Sequence, residues 1–300
     1  MSTPPLTPGL SGDRVTLDSR AGTLSVYVAG GGPPLLLVHS VNAAACAAEV
    51  RPLHEHYRAT RTVYSIDLPG FGFSERSDRA YTPRLMVDAI LALRDLVASR
   101  HGPAAVDALA LSLGCEFLAR AALESHGAFR TLALVSPTGF EGRRDRRGPA
   151  GATLLKPGLL RALRGPGWGG PLFRALTRPA VIRFFLEKTW GGPAIDEELW
   201  RYDVLTTRQP GAEFAPLHFL AGGLFSADAQ LVYEQLSLPV WMAHGVRGDF
   251  TDYRAKSIVE GKPNWRIDVF QAGALPHFER LPEFVAAYDA FLAGASRAAP

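Results

Sequence analysis

The apolar positions of this 300-residue chain follow two rhythms. In the first half, short unbroken apolar runs alternate with stretches whose apolar residues recur every three or four positions. Pro33–His39, Thr62–Asp67, Ala108–Leu111 and Arg130–Ser136 are runs of the kind buried parallel strands show. Two earlier strands are predicted around Arg14–Leu17 and Thr23–Val28, closed by the Gly30-Gly31-Gly32 turn. Pro83–Arg100 has Pro at its start and apolar residues at Met86, Ile90, Leu93 and Val97, which predicts a helix. Ala43–Ala48 has helix-forming composition. From Leu113, the spacing of Phe117, Leu118, Ala121 and Ala122 predicts another helix. Strand and helix in alternation predict an α/β protein with a mainly parallel, doubly wound sheet.

The rhythm breaks at Phe140. A charge-dense loop, Glu141–Pro149, is expected to be solvated surface, and Gly/Pro spacing continues to Pro171. Helix-like segments follow at Leu172–Leu176, Val181–Leu186, Glu197–Leu205 and Ala227–Leu236. Strands resume only at Leu238–His244 and Trp265–Phe270. The expected organisation is a core of residues 1–139 and 237–300, interrupted by a helical insertion at 140–236.

Chemistry enters where the run ending at Leu111 turns straight into a helix. Ser112 stands at that corner, with Gly114 two residues on. Such a turn lifts the serine clear of the sheet, beside the free N–H groups and positive dipole end of the helix. A serine that merely caps the helix gives the same local pattern. The phrase Ala110-Leu-Ser-Leu-Gly114 resembles the nucleophile elbow Gly-x-Ser-x-Gly of the α/β-hydrolase superfamily, with alanine for the first glycine. Asp67-Leu-Pro-Gly-Phe-Gly-Phe-Ser74 resembles a more specific loop signature of the same superfamily.

The resemblance implies an α/β-hydrolase fold with an inserted helical cap, and a serine hydrolase acting on a carboxylic ester, lactone or related acyl compound. It assigns Ser112 as nucleophile, with the backbone N–H groups of Val41 and Leu113 as oxyanion donors. Asp249 matches the family's acid with one extra residue in its loop, and Asp252 is the alternative. In Gly273-Ala-Leu-Pro-His277-Phe-Glu279, the position usually held by the catalytic histidine is Ala274. His277 is then the expected base, with His39 and the insertion's His218 as substitutes; His39 is otherwise expected to hold its loop. A member without a base, serving as a ligand-binding protein, lyase or cyclase, is the competing expectation. Trp168, Phe184, Phe185, Trp190, Trp200, Phe214, Phe219 and Phe225 are candidates to line an apolar acyl pocket under the cap.

Composition narrows the partners. An apolar fraction of 47% fits a folded protein, and a net charge of +3, scattered along the chain, does not point to nucleic acid. Two cysteines, Cys46 and Cys115, form neither a disulfide framework nor a metal-binding spacing. No Gly-x-Gly-x-x-Gly follows a first strand, so a dinucleotide is not expected. The expectations are a small-molecule substrate, no cofactor or metal, no membrane partner, a monomer or homodimer, and a cytoplasmic location, since neither a signal-peptide pattern nor an apolar run of spanning length is present.

Overall fold

The computed structural model describes residues 4–142, 145–165 and 167–298. Strands β1 (Asp13–Ser19) and β2 (Gly22–Ala29) form a hairpin, followed by β3 (Pro34–Val38), α1 (Arg51–Tyr57), β4 (Thr62–Asp67) and α2 (Pro83–His101). Next come β5 (Val106–Leu111), α3 (Gly114–Glu124) and β6 (Phe129–Val135). Six helices then intervene: α4 (Pro157–Leu163), α5 (Gly169–Leu176), α6 (Pro179–Trp190), α7 (Glu197–Thr206), α8 (Phe214–Leu220) and α9 (Ala229–Gln235). The chain closes with β7 (Val240–Gly245), β8 (Trp265–Phe270), the short α10 (Pro276–Glu279) and α11 (Leu281–Ala298).

The eight strands form one sheet in the order β1-β2-β4-β3-β5-β6-β7-β8. Only the β1–β2 and β2–β4 pairings are antiparallel. The unbroken apolar runs are explained by burial on both faces. Leu36 and Val38 of β3 join one apolar cluster with α2, α3 and α9; Leu35 and Leu37 join the other with α1 and α11. A period of two along the strand thus supplies both halves of the core.

Several local expectations change in the folded chain. Ala43–Ala48 is helical only at its end: the Asn42 side chain accepts the Ala44 N–H at 2.7 Å, a 3-10 turn spans Ala47–Val50, and α1 follows from Arg51, with Pro52 in its first turn. The expectation missed α1, α4, α8, α10 and α11, although Phe284, Tyr288, Phe291 and Leu292 of α11 do cover the sheet. Within the inserted stretch, α9 packs against α3, and its Tyr233 stacks on Phe140 at 4.7 Å. That helix therefore contributes to the main core. The charge-dense loop is also not uniformly solvated. Arg146 is only 2% exposed and bonds Glu116 of α3 at 2.7 Å and the Ser226 carbonyl at 2.6 Å. A buried carboxylate on the elbow helix is the reason this arginine turns inward. Arg143 and Arg144 of the same run lie outside the described residues.

Candidate active site

Ser112 sits between β5 and α3 with φ of +48°, in the left-handed region that a side chain disfavours. Its N–H donates to the Val135 carbonyl at 2.8 Å, which anchors the corner to β6. No side chain caps α3, so Ser112 does not serve as a cap. Its hydroxyl is free of any protein hydrogen bond among the described residues, and the residue is partly exposed. Gly114 is required by close approach: a Cβ there would lie 2.4 Å from the His39 carbonyl oxygen. Ala110 in the place of the family's first glycine is fully buried without strain of this kind. Ser136, at the end of β6, also adopts positive φ, +49°. The pairing of Leu111 with Val135 sets the two strained serines side by side at the strand ends.

The loop after β3, which carries Val41, starts at His39, whose carbonyl faces Gly114 of this corner. Its shape depends on Glu49, which the sequence reading did not single out. The buried Glu49 carboxylate accepts the Ser40 N–H at 2.8 Å, the Ser40 hydroxyl at 2.9 Å and the Asn42 amide at 2.8 Å. Burial pushes its carboxyl up from the ordinary value, against those bonds. The one signal was a lone acidic residue in the otherwise apolar run Ala43–Val50. His39 locks the loop from the other side: its Nε2 accepts the Leu68 N–H at 2.9 Å, leaving Nδ1 to donate to the Ser40 carbonyl. Burial lowers its pKa to about 4. Neither Val41 nor Leu113 gives its N–H to a protein acceptor among the described residues. Both N–H groups are thereby left unclaimed by the protein among the described residues.

Nothing comparable assembles on the opposite side. His277 is fully buried and donates from Nε2 to the Glu49 carbonyl at 2.8 Å, while its Nδ1 has no partner among the described residues. Burial holds its pKa at about 4. Asp249, expected to be a buried orienter, is 58% exposed and pairs with Lys188 at 3.3 Å. Asp252 is bound twice by Arg254, which keeps its carboxyl well below the usual range. Neither carboxylate bonds an imidazole among the described residues, and no imidazole bonds Ser112. His218 is engaged with the Phe214 carbonyl at 3.0 Å. The backbone of Ala274 explains part of this. Its N–H donates to the Thr189 carbonyl at 2.8 Å, and a Cβ on Gly273 would fall 2.5 Å from the same oxygen. The end of α6 occupies the space beside that loop. Glu279, the anchor of the phrase, accepts the Gly273 N–H at 2.6 Å and pairs with Arg247.

With this geometry in view, the sequence matches the family described as the alpha/beta hydrolase family over residues 35–288. The chain belongs to the alpha/beta hydrolase family. Solved hydrolase-fold structures superpose on nearly its whole length. A thermophilic esterase from Thermogutta terrifontis is 18% identical, with a TM-score of 0.70, covering 95% of this chain and 99% of its own. An epoxide hydrolase is 19% identical at a TM-score of 0.71, covering 94% and 99%. A meta-cleavage product hydrolase from Pseudomonas fluorescens is 17% identical at a TM-score of 0.69, covering 94% and 98%. At these identities the likeness is one of fold. No curated protein matches the chain in sequence.

In this alpha/beta hydrolase a cleft of about 1010 Å³ opens between the inserted helices and the loop after β7. Leu154, Lys156, Phe219 and Phe225 line one side, and Asp249, Thr251, Asp252 and Tyr253 line the other. Ser112 is not among its lining residues. Tyr253 connects the cleft to the strand ends by stacking on His244, 4.1 Å between ring centres. The expected pocket aromatics divide. Phe219 and Phe225 reach the cleft, whereas Trp190 is buried against Phe278. Phe214 packs on the core, and Trp200 bonds the Pro179 carbonyl. Trp168, Phe184 and Phe185 face outward and are not among the residues lining this cleft.

Proposed function

We propose that this member of the alpha/beta hydrolase family is a hydrolase that attacks a carboxylic ester, lactone or related acyl compound through Ser112. The observation that carries the reading is the strained Ser112 turn, held at φ +48° with its hydroxyl free of protein partners, together with the unclaimed N–H groups of Val41 and Leu113. In this reading Ser112 Oγ adds to the acyl carbon and the carbonyl oxygen takes up the charge against the two N–H donors. The leaving group departs with a proton, and water then cleaves the acyl-enzyme. Residues 140–236 act as a cap over this step, and a small molecule is the substrate.

His277 serves as base in this reading only if its loop moves, because its buried Nδ1, left free by the Nε2–H bond to Glu49, does not reach Ser112. With the loop in place, the serine proton passes to solvent. Turnover then rests on the oxyanion donors and binding, which support about 10³–10⁴ over water. The lock on His277 favours a second reading, a ligand-binding protein of the family that performs no hydrolysis. A fluorophosphonate probe distinguishes the two: covalent labelling of the wild type, absent in Ser112→Ala, supports the first, and no labelling of either supports the second. Equal labelling of both refutes Ser112.

A further inference from the structure

Nine large hydrophobic side chains stand exposed among the described residues. Six belong to the inserted stretch, and Val246 and Phe250 lie in the loop facing it. Several of them rim the large cleft from both sides. Leu220 lines it, Phe250 lies between the lining residues Asp249 and Thr251, and Leu155 between Leu154 and Lys156. Phe184 joins the rim through Lys188, whose ammonium lies 5.6 Å from the ring centre and pairs with Asp249. Phe184, Phe185 and Phe250 are 51%, 52% and 54% exposed. Helix α4, close by in sequence, buries no residue at all and exposes Leu159.

Charge follows the same stretch. Between residues 153 and 190 the chain carries seven Lys and Arg against one acid, Glu187. That is a net +6 in a chain whose total is +3, so the rest of the molecule is net negative. Lys156, Arg161, Arg174 and Arg178 are exposed and form no ion pair among the described residues. Soluble proteins seldom leave aromatic and leucine side chains clustered in water. Exposed aromatics interleaved with uncompensated cations match the boundary of an anionic bilayer, where rings enter the acyl edge and Lys/Arg meet the headgroups.

We propose that the inserted helices dock this protein, by the rim of the cleft, onto an anionic lipid surface. The contact is peripheral, since no helix among the described residues is long and apolar enough to cross a membrane. It revises the expectation of no membrane partner, which rested on spanning length alone. The cleft then opens at the lipid boundary, where an amphiphile can enter without crossing water.

The test is co-sedimentation of the full chain with phosphatidylcholine vesicles and with 1:1 phosphatidylcholine–phosphatidylglycerol vesicles. Wild type should pellet with the anionic vesicles, at least tenfold more weakly with neutral ones and at least tenfold more weakly in 0.5 M salt. Phe184→Asp/Phe250→Asp and Arg161→Glu/Arg174→Glu should each weaken binding at least tenfold with unchanged circular dichroism. Ser112→Ala should bind like wild type, which separates this proposal from the hydrolase reading. Absence of binding to anionic vesicles, equal binding to neutral ones, or variants binding like wild type would overturn it. So would a dimer, dissolved by Phe184→Asp/Phe250→Asp, in a protein that ignores vesicles.

Discussion

The two sides of the candidate site are built in different ways. The elbow side is held by backbone and one buried carboxylate: Ser112 is anchored through its N–H to Val135, Gly114 is pressed on the His39 carbonyl, and the Ser40–Asn42 loop is gripped by Glu49. The side formed by the loops after β7 and β8 is held by side chains committed elsewhere. His277 is tied to the Glu49 carbonyl, Asp249 to Lys188 and Asp252 to Arg254. Steric constraint preserves a strained corner because few residues can replace those present. An acid–base relay has no such constraint, since one helix end against the loop of Ala274 is enough to redirect it. The nucleophile half of a hydrolase can therefore persist while the relay half is rewired.

The comparison breaks most visibly at Ser112. Ser112→Ala is expected to abolish fluorophosphonate labelling and to lower turnover of a short p-nitrophenyl ester by about tenfold or more, with the thermal midpoint nearly unchanged. Equal turnover by variant and wild type would remove the elbow from the chemistry. Gly114→Val should act on structure instead. A Cβ 2.4 Å from a backbone oxygen cannot be relieved by a side-chain shift, so a loss of about 2–4 kcal/mol in urea unfolding is expected. Wild-type stability would show the corner to be slack. Glu49→Ala should cost about 2–3 kcal/mol, because it strips the acceptor from two buried Ser40 donors and from the half-buried Asn42 amide. It should also reduce ester turnover more than it reduces probe binding, by displacing Val41.

On the other side the effects are smaller and depend on pH. The pKa of His277 is about 4 in the folded chain against an ordinary 6.5, so the unfolded state binds the extra proton between those values. Its contribution to stability is complete above about pH 6.5 and is lost as pH falls towards 4. The stability difference between wild type and His277→Gln should accordingly be largest near pH 7–8 and shrink at pH 4–5, by at most about 3 kcal/mol. A difference that stays constant with pH would mean that His277 is not buried neutral. His277→Ala should change ester turnover little while the Glu49 bond is the native one. A loss as deep as that of Ser112→Ala would instead restore it as the base, and a gain from Ala274→His would locate the missing group. The smallest effect is expected of Asp249→Asn, within about 0.5 kcal/mol and twofold in turnover, because an exposed ion pair contributes little. A large loss of turnover would return Asp249 to the acid's role.

The sequence by itself determined what depends on local periodicity and sterics. Runs such as Leu35–Val38 specify strands buried on both faces, and the Ser112–Gly114 spacing specifies a tight strand-to-helix corner. Asp67-Leu-Pro-Gly-Phe-Gly72 belongs here too: a Cβ on Gly72, at φ +51°, would lie 2.0 Å from the Asp67 carboxyl carbon, so that phrase admits little else. The tertiary structure alone decided which polar groups meet. Arg146 reads as one solvated arginine of a run until Glu116 faces it. Glu49 reads as one acid in an apolar stretch until the Ser40–Asn42 loop closes on it. His277 reads as a catalytic base until its Nε2 is found on a carbonyl 228 residues away in sequence. A hydrogen bond or ion pair is made by whichever partner packing brings within about 3 Å, and the distance along the chain between partners carries no trace of it.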